Sequence, residues 1–151
     1  MVRKILAAID GSEHAWKALD LAADMAKQQG AQLIVLHVVP FEPMSAALRD
    51  FAEAEHIPVE EEAARIRYAR TLGDHLTHSA EARVRDKGLT NVVRRTVEGN
   101  PADQILEVAR SEGIEMIVMG SRGLSNARAL FLGSVSHKVN NHAECTCVTV
   151  K

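Results

Sequence analysis

The sequence predicts an α/β fold, with a single domain over residues 1–151 and an open, five-stranded parallel sheet covered by helices on both faces. Five short runs rich in Ile, Leu and Val indicate the strands, at 4–9, 32–39, 91–97, 115–119 and 145–150. Helical patterns separate these runs, and such alternation is typical of a parallel sheet. Because the hydrophobic fraction is 46% and the aromatic fraction is 3%, we expect a tightly layered core of aliphatic side chains.

The first strand leads into a helix whose two ends are marked in the sequence. Ser12 is a typical N-cap residue, and small apolar residues recur after it at three- and four-residue steps. Gly30 is placed to end this helix before the second strand begins. We therefore expect a crossover helix between strands one and two.

The segment FEPMSAALRDFAEAEHIP (41–58) is bracketed by prolines and lacks a strong apolar stripe, so we expect a mobile excursion with room for a short helix. A long helical pattern begins at Val59 and ends near Gly88. Gly73 marks the point where its apolar face approaches the sheet. Strand three then carries Arg94 and Arg95 on opposite faces, which favours an edge position.

Two further helices follow from cap residues. Asn100 is a typical N-cap, Pro101 fits the first helical position and Gly113 fits the end of the helix. The last helix is expected to begin near Gly133 and to bury Val139 on its apolar face.

Right-handed crossovers fix the strand order if strand three is an edge beside strand two. Strand four then lies on the other side of strand one, which gives the order 3-2-1-4-5. Open α/β sheets bind ligands where the order reverses, here between strands one and four. The sequences DGS (10–12) and GSRG (120–123) meet at that crevice, which is the expected ligand site.

Charge and cysteine content argue against several classes of function. The 18 Lys and Arg residues nearly balance 20 Asp and Glu residues, so no basic field favours nucleic acid or an anionic membrane. No apolar run reaches the roughly 18 residues of a membrane helix, and none fits a signal peptide. Cys145 and Cys147 stand two apart in a strand pattern, which disfavours a bridge. We expect a cytoplasmic protein with inert thiols, whose pKa the nearby Glu144 raises.

The stretch GSRGLSNARALFLGS (120–134) has the features of a phosphate site. Gly120 and Gly123 allow the backbone to approach a ligand. Gly133 opens the last helix, whose N-terminal amides and dipole suit phosphates, and Ser134 and Ser136 add hydroxyl groups. The glycine patterns of dinucleotide-binding enzymes and of P-loop NTPases are both absent from the sequence.

The spacing Gly120-x2-Gly123-x9-Gly133-Ser134 resembles the ATP-binding signature of the universal stress protein family. The resemblance spans nearly the whole chain, through KILAAIDGSEHAWKALDLA (4–22), LIVLHVV (33–39), EGNPADQILEVA (98–109) and CTCVTV (145–150). In the last of these segments Thr146 and Cys147 depart from the Cys-Pro-Val that is frequent in the family.

The resemblance implies a five-stranded fold, ATP in the crevice and a homodimer paired through strand five (145–150). It also implies Mg²⁺ or Mn²⁺ bridging the phosphates, although the sequence itself offers no dedicated metal site. We expect no catalytic residue, because the motif supplies mainly backbone amides and hydroxyl groups apart from Arg122. The implied cofactor contacts are Ala8, Ile9, Asp10 and Val38 for adenine and ribose, Gly120, Arg122 and Gly123 along the ribose and phosphates, and Gly133, Ser134, Val135 and Ser136 for the triphosphate. Met119, expected to pack in strand four, is also in the predicted set.

Three functions remain open at this point. The first is an ATP-binding regulatory module that recognises an unidentified partner protein and hydrolyses ATP slowly or not at all. The second is an enzyme that transfers phosphoryl or adenylyl groups through Asp10 or His137. The third is an interaction module whose glycine loops only shape a dimer. The other histidines fit structural positions: His75 and His78 a solvated helix face, His37 the core or crevice, and His14 an exposed helix position.

Overall fold

Strands and helices alternate along the chain in a computed structural model that describes residues 1–40, 45–57, 60–122 and 133–151. The strands are β1 (Lys4–Ala8), β2 (Gln32–Pro40), β3 (Val92–Gly99), β4 (Met116–Gly120) and β5 (Thr146–Val150). The helices are α1 (Glu13–Gln29), α2 (Ala46–Ala54), α3 (Glu60–Asp86), α4 (Pro101–Ser111) and α5 (Ser134–His142).

The five strands form one parallel sheet in the order β3-β2-β1-β4-β5, so the predicted fold and strand order are confirmed. In the register of the sheet, Ala8 at the end of β1 pairs with Leu36 of β2 on one side and with Met119 of β4 on the other. The carboxyl ends of these three strands therefore lie together at one edge of the sheet.

Two aliphatic layers cover the sheet, one on each face. Ile5 of β1 packs with α1 and α3 on one face, and its neighbour Leu6 packs with α4 and α5 on the other. The small residues Ala18, Ala22 and Ala26 of α1 are fully buried, so this helix lies close to the strands. Small side chains thus supply the close packing that the low aromatic content predicted.

The predicted ends of α1 and the close approach of α3 are also confirmed. Ser12 caps α1 by accepting a hydrogen bond from the amide of Ala15, and Gly30 ends the helix in the left-handed region with φ of 66°. A Cβ atom on Gly73 would lie 2.7 Å from Cδ2 of His37, so only glycine leaves room for that ring without a shift.

The two edge strands differ in charge. On β3, Arg94 pairs with Glu81 of α3 and Arg95 pairs with Glu112 after α4, each at 3.0 Å. These partners belong to helices on opposite faces of the sheet, so the predicted edge position of β3 is confirmed. The other edge, β5, carries no charged residue from Thr146 to Val150.

The short helix allowed within the 41–58 excursion is present as α2, which is capped by Ser45 and buries Ala52. Residues 41–44 and 58–59 lie outside the described residues, as does the predicted start of the long helix at Val59. No helix in the described part of the chain is both long enough and apolar enough to cross a membrane.

Candidate functional site

A cavity of about 380 Å³ opens at the carboxyl ends of β1, β2 and β4. This is the position where open α/β sheets bind ligands. Gly123 of the predicted cofactor set lies outside the described residues. The other eleven members all line the cavity: Ala8, Ile9, Asp10, Val38, Met119, Gly120, Arg122, Gly133, Ser134, Val135 and Ser136. The structure therefore brings four separate segments of the sequence to one place.

One part of the cavity wall is apolar. Val38 and Met119 are 6% and 3% exposed and belong to the core layer beneath α4. Further apolar lining residues that the sequence analysis did not include are Ala15, Leu36, Pro40, Pro101 and Ile105. Such a wall suits a flat, weakly polar group such as a heterocyclic base.

The turn between β1 and α1 satisfies its own polar groups. The carboxylate of Asp10 accepts a hydrogen bond from the amide of Ser12 at 2.9 Å, across Gly11 with φ of 87°. The Ser12 hydroxyl accepts from the amide of Ala15 at 3.3 Å and donates to the carbonyl of Arg122 at 3.4 Å. Asp10 thus shapes this turn while also lining the cavity.

The start of α5 is built differently. Gly133 is its N-cap, and no side chain among the described residues caps the helix. The amide of His137 is the first that bonds within the helix, to the carbonyl of Gly133 at 2.9 Å. The earlier amides of the first turn, on Ser134, Val135 and Ser136, belong to residues that line the cavity. A helix N-terminus of this kind carries a partial positive charge and attracts anions.

Glycine at position 120 is required by packing, whereas the sequence suggested that it allows the backbone to approach a ligand. A Cβ atom there would lie 2.9 Å from the amide nitrogen of Ala15 and 2.9 Å from the carbonyl carbon of His14. Gly120 therefore lets the first turn of α1 pack against the end of β4. The expectation of an exposed His14 was wrong, because its ring is half-buried and Nδ1 lies 3.1 Å from the Ser121 hydroxyl.

His37 is a cavity residue that the predicted cofactor set did not include. Its Nδ1 atom lies 2.8 Å from the carbonyl oxygen of Ile9. Because a carbonyl oxygen only accepts, Nδ1 carries a proton. The signal available in the sequence was its position beside Val38, at the carboxyl end of β2.

The other candidate groups lie elsewhere. His75 and His78 are exposed on α3, and His137 is exposed with Nε2 3.1 Å from the Asn141 amide nitrogen. Across the described ranges, no cluster of three or more His, Cys, Asp or Glu residues is placed to hold a metal ion.

Cys145 and Cys147 are free and half-buried. Burial raises the pKa of both thiols, and Glu144 adds to the effect at Cys145. The predicted direction of the shift is correct, while its main cause is burial rather than the neighbouring carboxylate.

A comparison with protein families matches residues 1–151 to the universal stress protein family. Universal stress protein YxiE of Bacillus subtilis (strain 168) is 36% identical over 154 aligned positions, which cover 100% of both chains.

Solved structures share the fold. The hypothetical protein MJ0577 is 27% identical with a TM-score of 0.75, and the match covers 100% of this chain and 96% of that one. A universal stress protein in complex with cAMP is 23% identical with a TM-score of 0.68, covering 99% and 97% of the two chains. The universal stress protein from Archaeoglobus fulgidus in complex with dAMP is 20% identical with a TM-score of 0.63, covering 100% and 98%.

Proposed function

The chain belongs to the universal stress protein family, and on that premise we propose that it is an ATP-binding regulatory module of the stress-response type. One observation carries the proposal: the same cavity is lined both by apolar strand ends and by the first turn of α5, which has no side-chain cap from the described residues. The first surface suits a base and the second suits phosphates. A ligand that has both a base and phosphates, such as an adenine nucleotide, uses both surfaces.

Adenine and ribose lie against the ends of β1 and β2 in this proposal. Ala8, Ile9 and Val38 supply the apolar wall, and Asp10 stands at the polar end of the same segment. The cavity volume of about 380 Å³ falls in the usual range of small-molecule sites, roughly 300–1,000 Å³.

The phosphates lie against the first turn of α5, at Gly133, Ser134, Val135 and Ser136. Gly120 and Arg122 follow the ribose and phosphates on the other side, and Gly123 belongs to the same proposed set. Met119 belongs to the apolar wall beside them. Amide groups and a positive helix end stabilise phosphate charge without a cationic side chain. This arrangement explains how the site accommodates a triphosphate although the chain has no P-loop lysine.

Two neighbours of the same fold are solved with cAMP and with dAMP. Both ligands are adenine nucleotides, which supports the class of ligand. The proposal of a triphosphate rests instead on the first turn of α5 in this chain. A competition series with ATP, AMP and cAMP is therefore part of the test.

A divalent ion fits this site only as a partner of the phosphates. Asp10 is a carboxylate in the lining, and the described residues contain no cluster able to cage a metal. Mg²⁺ or Mn²⁺ would take phosphate oxygens and water as its main ligands and would neutralise part of their charge.

Slow hydrolysis, or none, follows from the same side chains, and no catalytic residue is proposed. Fast phosphoryl transfer needs a positioned base and cations aimed at the developing charge. In the described lining, Asp10 and His37 already bond to the backbone of the β1–α1 segment. The enzymatic alternative through His137 has no geometric support, because His137 does not belong to the cavity lining.

The proposed assembly is a cytoplasmic homodimer paired through β5, in which nucleotide occupancy changes recognition of a partner protein. Residues 147–150 are half-buried in the single chain and uncharged. An uncharged, partly apolar edge strand favours pairing with another strand.

Isothermal titration of the nucleotide-stripped protein with Mg-ATP tests the proposal, beside the variant Gly133→Asp. We expect saturable binding by the unmodified chain. The added carboxylate would occupy the phosphate position at the start of α5, so we expect binding to weaken by at least about 100-fold.

Ser79→Asp is the matched control, because it adds the same charge at an exposed position of α3. Circular dichroism and the midpoint of thermal unfolding establish that all three proteins are folded. Equal ATP affinity in a folded Gly133→Asp variant would contradict the site, and no binding by the unmodified chain would contradict the function.

A further inference from the structure

The hydroxyl of Ser136 bonds to the protein rather than facing the cavity alone. Ser136 is 3% exposed, and its Oγ atom lies 3.0 Å from the carbonyl oxygen of Ser121 and 3.0 Å from that of Gly133. Because carbonyl oxygens only accept, the hydroxyl proton is shared between these two acceptors. The group is therefore already used where the sequence pattern suggested a phosphate contact.

Ser121 is the residue through which the start of α5 is joined to the rest of the fold. Its carbonyl oxygen accepts from the amide of Gly133 at 2.7 Å as well as from Ser136, and its own amide donates to Val150 at 2.8 Å. Its hydroxyl lies 3.1 Å from Nδ1 of His14. Ser121 is thus held by β5 and α1 and in turn holds the first turn of α5.

These bonds connect the two segments that would hold the phosphates. Gly120 and Arg122 flank Ser121 in sequence, while Gly133 and Ser136 belong to the start of α5. The direction of the α5 amides relative to β4 therefore depends on the two hydrogen bonds that meet at the Ser121 carbonyl. Only one of these two bonds comes from a side chain.

From this geometry we infer that Ser136 is a positioning residue, whose hydroxyl aims the first-turn amides of α5 at the phosphates by fixing that turn to Ser121. The inference rests on the proposed function for its ligand. It assigns the side chain of Ser136 to the protein and leaves its amide for the nucleotide. The consequence is that Ser136 controls recognition of phosphate and has no effect on recognition of the base.

The test compares Ser136→Ala with Ser136→Thr, which keeps a hydroxyl. Affinities for Mg-ATP and for adenosine are measured by titration. Loss of one buried hydrogen bond that aligns the site is expected to weaken ATP binding about tenfold, while adenosine binding stays within about twofold because adenosine has no phosphate. Ser136→Thr is expected to regain most of the ATP affinity.

Ser111→Ala is the matched control. The Ser111 hydroxyl also donates to a backbone carbonyl, that of Val108 near the end of α4, outside the cavity lining. Its removal is expected to leave both affinities unchanged. Equal weakening of ATP and adenosine by Ser136→Ala would overturn the inference, because that is the pattern of a general loss of structure. Unchanged ATP affinity would overturn it as well.

Hydrogen exchange of the Gly133 amide separates this inference from the proposed function, because it needs no nucleotide. If Ser136 fixes the turn, Ser136→Ala is expected to speed exchange of the Gly133 amide about tenfold, and Ser111→Ala is expected to leave it unchanged. Unchanged exchange in Ser136→Ala would overturn the positioning role even if ATP binds. Faster exchange in Ser136→Ala, together with a parent chain that binds no adenine nucleotide, would support the role of Ser136 in fixing the turn and would contradict the proposed function.

Discussion

Helices α1 and α5 both begin at the cavity, yet the protein caps the start of α1 with its own side chains and, within the described residues, gives α5 no side-chain cap. Ser12 and Asp10 accept hydrogen bonds at the start of α1. At α5 the N-cap is Gly133, which has no side chain to offer. A helix start thus occurs once with side-chain caps and once, within the described residues, without one, at residues that line the cavity.

The difference teaches how to assign roles around one cavity. A capped helix start stabilises the fold and has little left to offer an anion, whereas a start with a glycine N-cap gives up roughly a few tenths of a kcal/mol of capping energy and keeps a site for a charged ligand. Changes near the start of α1 should therefore act mainly on stability, and changes at the start of α5 mainly on affinity.

Gly120→Ala is expected to have the largest effect on stability. The new Cβ atom would lie 2.9 Å from backbone atoms of His14 and Ala15. Backbone of a packed helix cannot yield as a side-chain tip can, so we expect a loss of about 1–3 kcal/mol in the free energy of unfolding. Urea unfolding at neutral pH measures it.

Gly73→Ala is the comparison for that prediction. Its Cβ atom would meet side-chain atoms of His37, Thr96 and Val39, and alanine gains about 1 kcal/mol of helix propensity over glycine. The net loss should therefore be smaller than for Gly120→Ala. An equal or larger loss would mean that the contact of α1 with β4 is not the constraint at Gly120.

Ser12→Ala tests the capped helix. Loss of an N-cap side chain typically costs about 1 kcal/mol, and we expect that loss in urea unfolding. Asn100→Ala is the matched control, because Asn100 caps α4 through the amide of Asp103 at 3.1 Å and does not line the cavity. Similar losses of stability in both variants, with ATP affinity reduced by less than about twofold, would support the structural role of the α1 start.

Ser134→Ala tests the uncapped helix. Ser134 is exposed at the first position of α5 and lines the cavity. We expect its stability to stay within about 0.5 kcal/mol of the parent and its ATP affinity to fall about three- to tenfold, as for one lost hydrogen bond to a charged ligand. A loss of stability without a loss of affinity would reverse the assignment of the two helices.

The fold could be predicted from the sequence because each of its features rests on local chemistry. Ser12, Gly30 and Asn100 cap helices through neighbours within about one turn. The two adjacent arginines, Arg94 and Arg95, indicated that β3 is an edge strand. Strand order then followed from crossover handedness, which is a rule of backbone twist rather than of particular residues.

The sequence predicted which residues line the cavity but not the hydrogen bonds among them. The glycine spacing and the start of the last helix predicted Gly120, Gly133 and Ser136 at one site, whereas the packing of α1 on Gly120 and the bonds of Ser121 depend on residues far apart in sequence. His14 and Ser121 are separated by 107 positions, and neither shows a local pattern. Contacts of this kind are decided by how elements pack, and one sequence alone carries no signal for them.

The smallest expected effect lies at the middle of α1, where Asp20 joins this helix to α3. The carboxylate accepts from Arg83 at 2.8 and 2.7 Å, and this hydrogen bond lowers the pKa of Asp20 below its usual value of 3.8. A carboxyl whose pKa is lowered by folding stabilises the protein above its unfolded pKa, and this stabilisation is lost as pH falls through the folded pKa.

Asp20→Asn should therefore reduce the free energy of unfolding at pH 6 by less than about 1 kcal/mol, as for other surface pairs. The difference between parent and variant should shrink as pH is lowered through and below the usual pKa, because the parent loses the same interaction by protonation. Asp50→Asn, which removes an exposed carboxylate of α2, controls for the change in net charge. A difference that stays constant with pH would show that Asp20 acts through packing rather than through its charge.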